Sequence, residues 1–221
     1  YDFGYPHAPI VDYAVGDVSD KALFDTGSSA EVALFGPVAE AMSVQGVISA
    51  GSAVTGTGYE GESAGGLGEA TTLTRFTLSE FRFDRESLGA VRAATRSVPP
   101  TLVGAGILAS HIVTLDYPDG QFLLSNRDNA APATAEAGYG LAFIGEDVRV
   151  VRLFDDTPAA RAGVRLGDQV TAISGRSLIV SEGNSKCTVA NWLFASFDPA
   201  TAAELEILRD GVSSRISIPP H

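Results

Sequence analysis

Short apolar runs with period-two alternation fill most of this chain, and Gly, Asp, Asn and Pro interrupt them at close intervals. Residues 10–15 and 21–24 read as strands joined by a polar turn over 16–20. Residues 31–35 alternate again and resume strand. Gly36-Pro37 then opens a short helix over 38–42, with proline at the permitted first position. Residues 47–69 form the most glycine-rich stretch and predict a long hairpin. Strand follows over 71–83 and 88–95. The run Leu102-Val103-Gly104-Ala105-Gly106-Ile107-Leu108 is apolar and leads into a short helical turn. Strands at 112–115 and 122–124 flank Tyr117-Pro118-Asp119-Gly120, a strong turn signal.

Residues 128–138 break the pattern. They are rich in Ala, with no periodicity, and read as a linker between a first domain over 1–127 and a second over 139–221. In the second, 148–153 predicts strand. Thr157-Pro158 supplies an N-cap and a first-turn proline for a very short helix that Gly163 stops. Gly167-Asp168 turns into strand 170–173, Ser174-Gly175 is another turn, and 189–197 predicts helix. Asp210-Gly211 between 203–209 and 213–218 predicts a closing hairpin. Trp192, Leu193 and Phe194 are assigned to core.

Composition narrows the partners. The formal net charge of -12 argues against nucleic acid or an anionic membrane surface. No apolar run is long enough to span a bilayer. Tyr1 is not an initiator Met, which fits a mature or processed form. The compartment stays open, with periplasmic or secreted favoured over cytoplasmic. The single cysteine, Cys187, cannot form an intrachain disulfide. His7, His111 and His221 lack metal-ligand spacing, so neither metal nor cofactor is expected. Gly56-Thr57-Gly58-Tyr59-Glu60-Gly61 fits a dinucleotide fingerprint. No helix pattern follows it, however, and Glu60 and Glu62 would repel a pyrophosphate.

The candidate chemistry centres on Leu23-Phe24-Asp25-Thr26-Gly27-Ser28. An apolar strand ends in one carboxylate, a small hydroxyl residue and a glycine, which lifts the carboxylate to a floor that water can reach. Alone, the triplet is short enough to be a structural turn. Its available chemistry is nevertheless specific. Metal-free peptide hydrolysis through activated water needs one carboxylate as base and one carboxylic acid to polarise the carbonyl. Two such groups at hydrogen-bonding distance share a proton. Thr26 and Gly27 would hold the loop, and Ser28 could donate to the outer carboxylate oxygen.

From about Ala8 to Ser125 the chain resembles the retropepsin-like aspartic proteases, including bacterial members. The residues that carry this are the Asp25 loop, the glycine-rich hairpin, Leu102-Val103-Gly104 and Ile112-Val113-Thr114-Leu115-Asp116-Tyr117. The resemblance implies a closed β-barrel, a catalytic Asp25, and a flap with Gly58-Tyr59 at its tip. Ala105-Gly106 departs from the family, which usually places a polar residue there. One Asp-Thr-Gly is present, so the second must come from another subunit or from a missing half. Asp116 and Asp119 sit in a turn and are poor substitutes. From about Gly138 to Ile218 the chain resembles PDZ domains. Gly140-Leu141-Ala142-Phe143 matches the peptide-carboxylate loop, and the run from Thr157 to Asp168 matches the following helix and turn. The implied fold is a PDZ-like β-sandwich or barrel with short helices, binding peptides as an added strand. The joint expectation is a mainly β aspartic endopeptidase acting on peptide or protein through an Asp25 dyad, as a homodimer or with another Asp-Thr-Gly half. The rival is a non-catalytic peptide-binding protein in which the Asp25 loop is structural.

Overall fold

The alternating runs become strands wherever one set of side chains can be buried. A computed structural model describes residues 8–60, 62–63, 66–84, 86–128, 138–198 and 201–220. His7, His221 and most of the expected 128–138 linker lie outside them. In chain order the strands are Ile10–Val15 (β1), Val18–Asp25 (β2), Val32–Phe35 (β3), Val54–Gly58 (β4), Glu62–Ser63 (β5), Gly66–Leu67 (β6), Thr71–Phe83 (β7), Glu86–Arg96 (β8) and Thr101–Gly104 (β9). They continue as His111–Asp116 (β10), Gln121–Asn126 (β11), Tyr139–Ile144 (β12), Asp147–Phe154 (β13), Gln169–Ile173 (β14), Arg176–Ser177 (β15), Ala203–Arg209 (β16) and Val212–Ile218 (β17). The α-helices are Gly36–Val44 (α1), Pro158–Arg161 (α2) and Lys186–Ala195 (α3).

The chain divides into two units. One comprises Tyr1–Val54 and Leu73–Pro132, the other Thr55–Thr72 and Ala133–His221. The division therefore differs from the sequence-based boundary: the glycine-rich segment after Val54 belongs with the C-terminal unit.

In the first unit the strand order β1-β2-β9-β3-β8-β7 closes into a barrel where β1 meets β7 at Ala14 and Arg82. The β1–β2 turn is tighter than expected, because Val18 already pairs with Val15 and leaves only Gly16-Asp17 at the corner. Val15, Ala22, Val32, Leu34, Leu78 and Phe81 fill the interior. Tyr13 stacks on Phe81 with ring centroids 4.9 Å apart. Phe83 and Phe122 continue the contacts to Phe24, the residue before Asp25. Burying a ring such as Phe24 contributes about 1.5–3 kcal/mol, so the strand that ends at the carboxylate is anchored from inside. Thr101, fully enclosed, pairs its hydroxyl with Tyr13 Oη at 3.2 Å and accepts from the Phe35 amide at 3.2 Å.

In the second unit β4, β13, β14, β16 and β17 lie in that order, with β12 on β13 and β15 on β14. Its own core includes Val148, Val150, Ile173, Leu178, Val189, Leu193, Leu205 and Ile207. The expected turns hold. Ser174-Gly175 and Asp210-Gly211 each have two consecutive positive φ values, the geometry a two-residue hairpin requires. Thr157 caps α2, its hydroxyl accepting from the Ala160 amide at 3.3 Å. Helix α3 begins earlier than the apolar pattern indicated, because Ser185 accepts from the Thr188 amide at 3.2 Å and caps a polar first turn. Of the three aromatic-region residues assigned to core, Leu193 is buried. Trp192 is half-buried under the Arg176 guanidinium, and Phe194 is 64% exposed.

Candidate functional site

Asp25 is the last residue of β2, half-buried, and Thr26-Gly27 form an exposed turn just beyond it. The Gly27 amide donates to Asp25 Oδ1 at 2.9 Å, and the Ser28 amide donates to the Asp25 carbonyl at 3.1 Å. One carboxylate oxygen is thus fixed by the backbone two residues on. Gly27 leaves room for this, since a Cβ there would approach that oxygen to 3.1 Å. Among the described residues Asp25 forms no ion pair and meets no second carboxylate. Ser28 acts through its backbone, and its hydroxyl makes no hydrogen bond to Asp25 among the described residues.

What holds the loop is the strand beneath it. β9 runs parallel to β2, with Asp25 opposite Gly104, and antiparallel to β3, with Val32 opposite Val103. The chain leaves β2, passes over the end of β9 as residues 26–31, and re-enters the sheet on its far side. The crossing is bonded residue by residue. The Gly104 amide donates to Glu31 O at 3.0 Å, Ala105 to Ser28 O at 2.7 Å, and Gly106 to Ala30 O at 3.0 Å. Such proximity excludes side chains. A Cβ on Gly104 would lie 2.3 Å from Ala30 O, and one on Gly106 would lie 2.7 Å from Ala30 C. The Ala105-Gly106 departure has a physical role here: Gly106 admits the loop backbone. The segment Ala105–Ala109 is a 3₁₀ helix with no side-chain cap at its start.

Two further residues escaped the sequence reading. The Glu31 carboxylate accepts from the Arg92 amide at 2.7 Å, Nε at 2.8 Å and Nη2 at 2.6 Å, pinning the end of the loop to β8. An acidic residue directly after the loop was the available signal. Its partner, 61 positions away, left none.

Gly58 and Tyr59 stand at the end of β4, short of the chain reversal, because Ser63 pairs with Gly66 farther on. β4 pairs antiparallel with β13, Gly56 opposite Phe154 and Gly58 opposite Arg152. Residues 47–49, the start of the expected hairpin, bond to β7 instead.

Gly140, Leu141, Ala142 and Phe143 all lie on β12, which among the described residues pairs only with β13. Its other edge has no strand partner among the described residues. Leu141 and Phe143 pack on the core that contains Val189 and Leu193 of α3. Lys186, first in α3, donates to Gly145 O at 2.8 Å and lies 5.0 Å from the Phe143 ring centre. An open strand edge beside a helix is a seat for an extended segment. Nearby, Asp168 is buried and fully used: Arg209 donates through Nε at 2.6 Å and Nη2 at 2.7 Å, and the Arg165 amide at 2.8 Å.

His111 is buried with Nδ1 2.8 Å from Ser110 Oγ. Among the described residues no three His, Cys, Asp or Glu side chains form a metal-binding group, and no helix is long and apolar enough to cross a membrane. No family model matches the chain, and no curated protein does either.

Proposed function

We propose that this protein is an aspartic endopeptidase in which Asp25 supplies half of a carboxylate pair and the C-terminal unit recognises peptide as an added strand. The observation that carries this is the Asp25 loop: a carboxylate at a strand end, one oxygen held by the Gly27 amide, on a crossing stitched to Gly104, Ala105 and Gly106. Catalytic groups work when their position is fixed before substrate arrives, and this loop has little freedom left. The free oxygen, on a partly exposed residue, suits a water shared with a second acid. One chain holds one Asp-Thr-Gly, so the second acid is Asp25 of another copy or of a missing homologous half. The retropepsin and PDZ resemblances join these two parts into one substrate class, peptides and unfolded segments.

A second reading draws on the same count. With no second carboxylate beside Asp25 among the described residues, a chain that stays monomeric is a peptide-binding module only. The test is cleavage of an unstructured peptide mixture by the wild-type chain and by Asp25→Asn, with pepstatin as inhibitor and size determined in parallel. Pepstatin-sensitive cleavage lost in Asp25→Asn supports the protease. Cleavage that survives the substitution removes it.

A further inference from the structure

We propose that the open edge of β12 is coupled to the segment 55–59 through one β-bulge, so that a strand bound at β12 tightens the hold on Gly58-Tyr59. This rests on the assignment of β12 as a peptide-accepting edge. Along the β12–β13 ladder Gly140 faces Arg152 and Leu141 faces Val150, so Val151 has no counterpart on β12. A bulge of this kind leaves one residue unpaired and bends its strand. Val151 is not idle: its carbonyl accepts from the Tyr59 amide at 2.9 Å. The unpaired residue on one ladder is therefore the anchor of the next.

The attachment is built for close contact. A Cβ on Gly58 would lie 2.5 Å from Val151 O, and one on Gly56 would lie 2.4 Å from Leu153 O. At the other end the Asp155 amide donates to Thr55 O at 2.8 Å, and Thr55 Oγ1 donates to Asp155 Oδ2 at 3.1 Å. β13 is consequently shared, with β4 on one side and β12 on the other. Gly140-Leu141, where the bulge lies, is also where the end of an added strand would be bound. A ligand that selects one geometry of Gly140-Leu141 selects one position of Val151, and through it of Tyr59. Linkage makes the effect reciprocal: whatever tightens Tyr59 on Val151 raises affinity at β12.

The chain's single cysteine makes the test independent of any natural ligand. Cys187 is exposed and adjoins Lys186, which lies against Phe143 and Gly145 near the end of β12. The probe is the peptide Cys-Ser-Thr-Ser-Val-Val with a free carboxylate, activated as its pyridyl disulfide. The Cys187 thiolate attacks, a mixed disulfide forms and pyridine-2-thiol leaves. The tether places the strand at high effective concentration beside β12. Amide hydrogen exchange of the full chain is compared with Cys187 capped by cysteine alone. Slower exchange in β12, and slowing of about fivefold or more at Tyr59 and Asp155, supports the coupling. Protection in β12 with Tyr59 and Asp155 unchanged overturns it and leaves the peptide edge standing. No protection in β12 removes both. Gly58→Ala, and the milder Thr55→Val, reduce the probe's protection of β12 if the coupling holds; equal protection in both variants contradicts it.

Discussion

The Asp25 loop and the β12–β13 ladder solve opposite problems with the same device. Both lie where glycines let another backbone pass too close for a side chain: Gly104 and Gly106 under the Asp25 loop, and Gly56 and Gly58 of β4 against β13. At Gly104 and Gly106 the approaching backbone is a loop held on both flanks of β9, and every contact completes an enclosed structure. At β12 the ladder is satisfied on one side and, among the described residues, open on the other, with a bulge at Gly140-Leu141. The first arrangement suits a group that must not move. The second suits a surface that takes a partner. The contrast teaches that glycine content alone does not mark flexibility; what matters is whether the strand edges around the glycines are paired or left unpaired.

The largest expected effect falls on chemistry, without loss of the fold. Asp25→Asn keeps the Gly27 contact and the shape of the loop but removes the ionisable group. Peptide cleavage should fall about a thousandfold or more, with an unchanged unfolding midpoint. Next comes the enclosure. Gly104→Ala pushes a methyl against Ala30 O, and denaturant unfolding should show a loss of about 3 kcal/mol. A loss near zero would mean that the crossing is loose, and the contrast with β12 would fail.

On the other side of the comparison, Tyr139 starts β12 with its hydroxyl buried and without a hydrogen-bond partner among the described residues. Burial pushes its pKa from 10.0 up to about 12. The neutral form is then retained on folding while the unfolded chain ionises. Stability is unaffected below the unfolded value of 10.0 and is lost as pH rises from there through about 12. The loss amounts to about 2–3 kcal/mol. Tyr139→Phe should remove that slope and leave neutral-pH stability unchanged or raised by about 1 kcal/mol. Thermal unfolding at several pH values checks both. The smallest effect is at the cap of α2. Thr157→Ala loses the bond from the Ala160 amide and should cost about 1 kcal/mol.

Local chemistry was legible in the sequence, and distant pairing was not. Asp25 at a strand end, the Asp210-Gly211 and Ser174-Gly175 turns, and the Thr157-Pro158 cap each depend on a few adjacent residues. Glu31 and Arg92 meet from 61 positions apart, so no local pattern announces them. Gly106 looked like a departure because its role is steric room for Ala30 and Glu31, which spacing does not record. The start of α3 was missed because its first turn, Lys186-Cys187-Thr188, is polar and its only signal is the Ser185 cap. Gly58-Tyr59 reads as a flap tip through the retropepsin resemblance of the glycine-rich stretch around it. In the fold Gly58 serves a close strand approach to β13.

The central claim is that Asp25 acts as half of a carboxylate pair, and mixing tests most directly whether a second copy supplies the other half. Wild-type and Asp25→Asn chains are combined in varying ratio at fixed total concentration, unfolded and refolded together, and assayed for peptide cleavage. If each active site needs an Asp25 from both copies, activity falls with the square of the wild-type fraction. Activity that falls in direct proportion to that fraction, or persists in the pure variant, contradicts a shared pair.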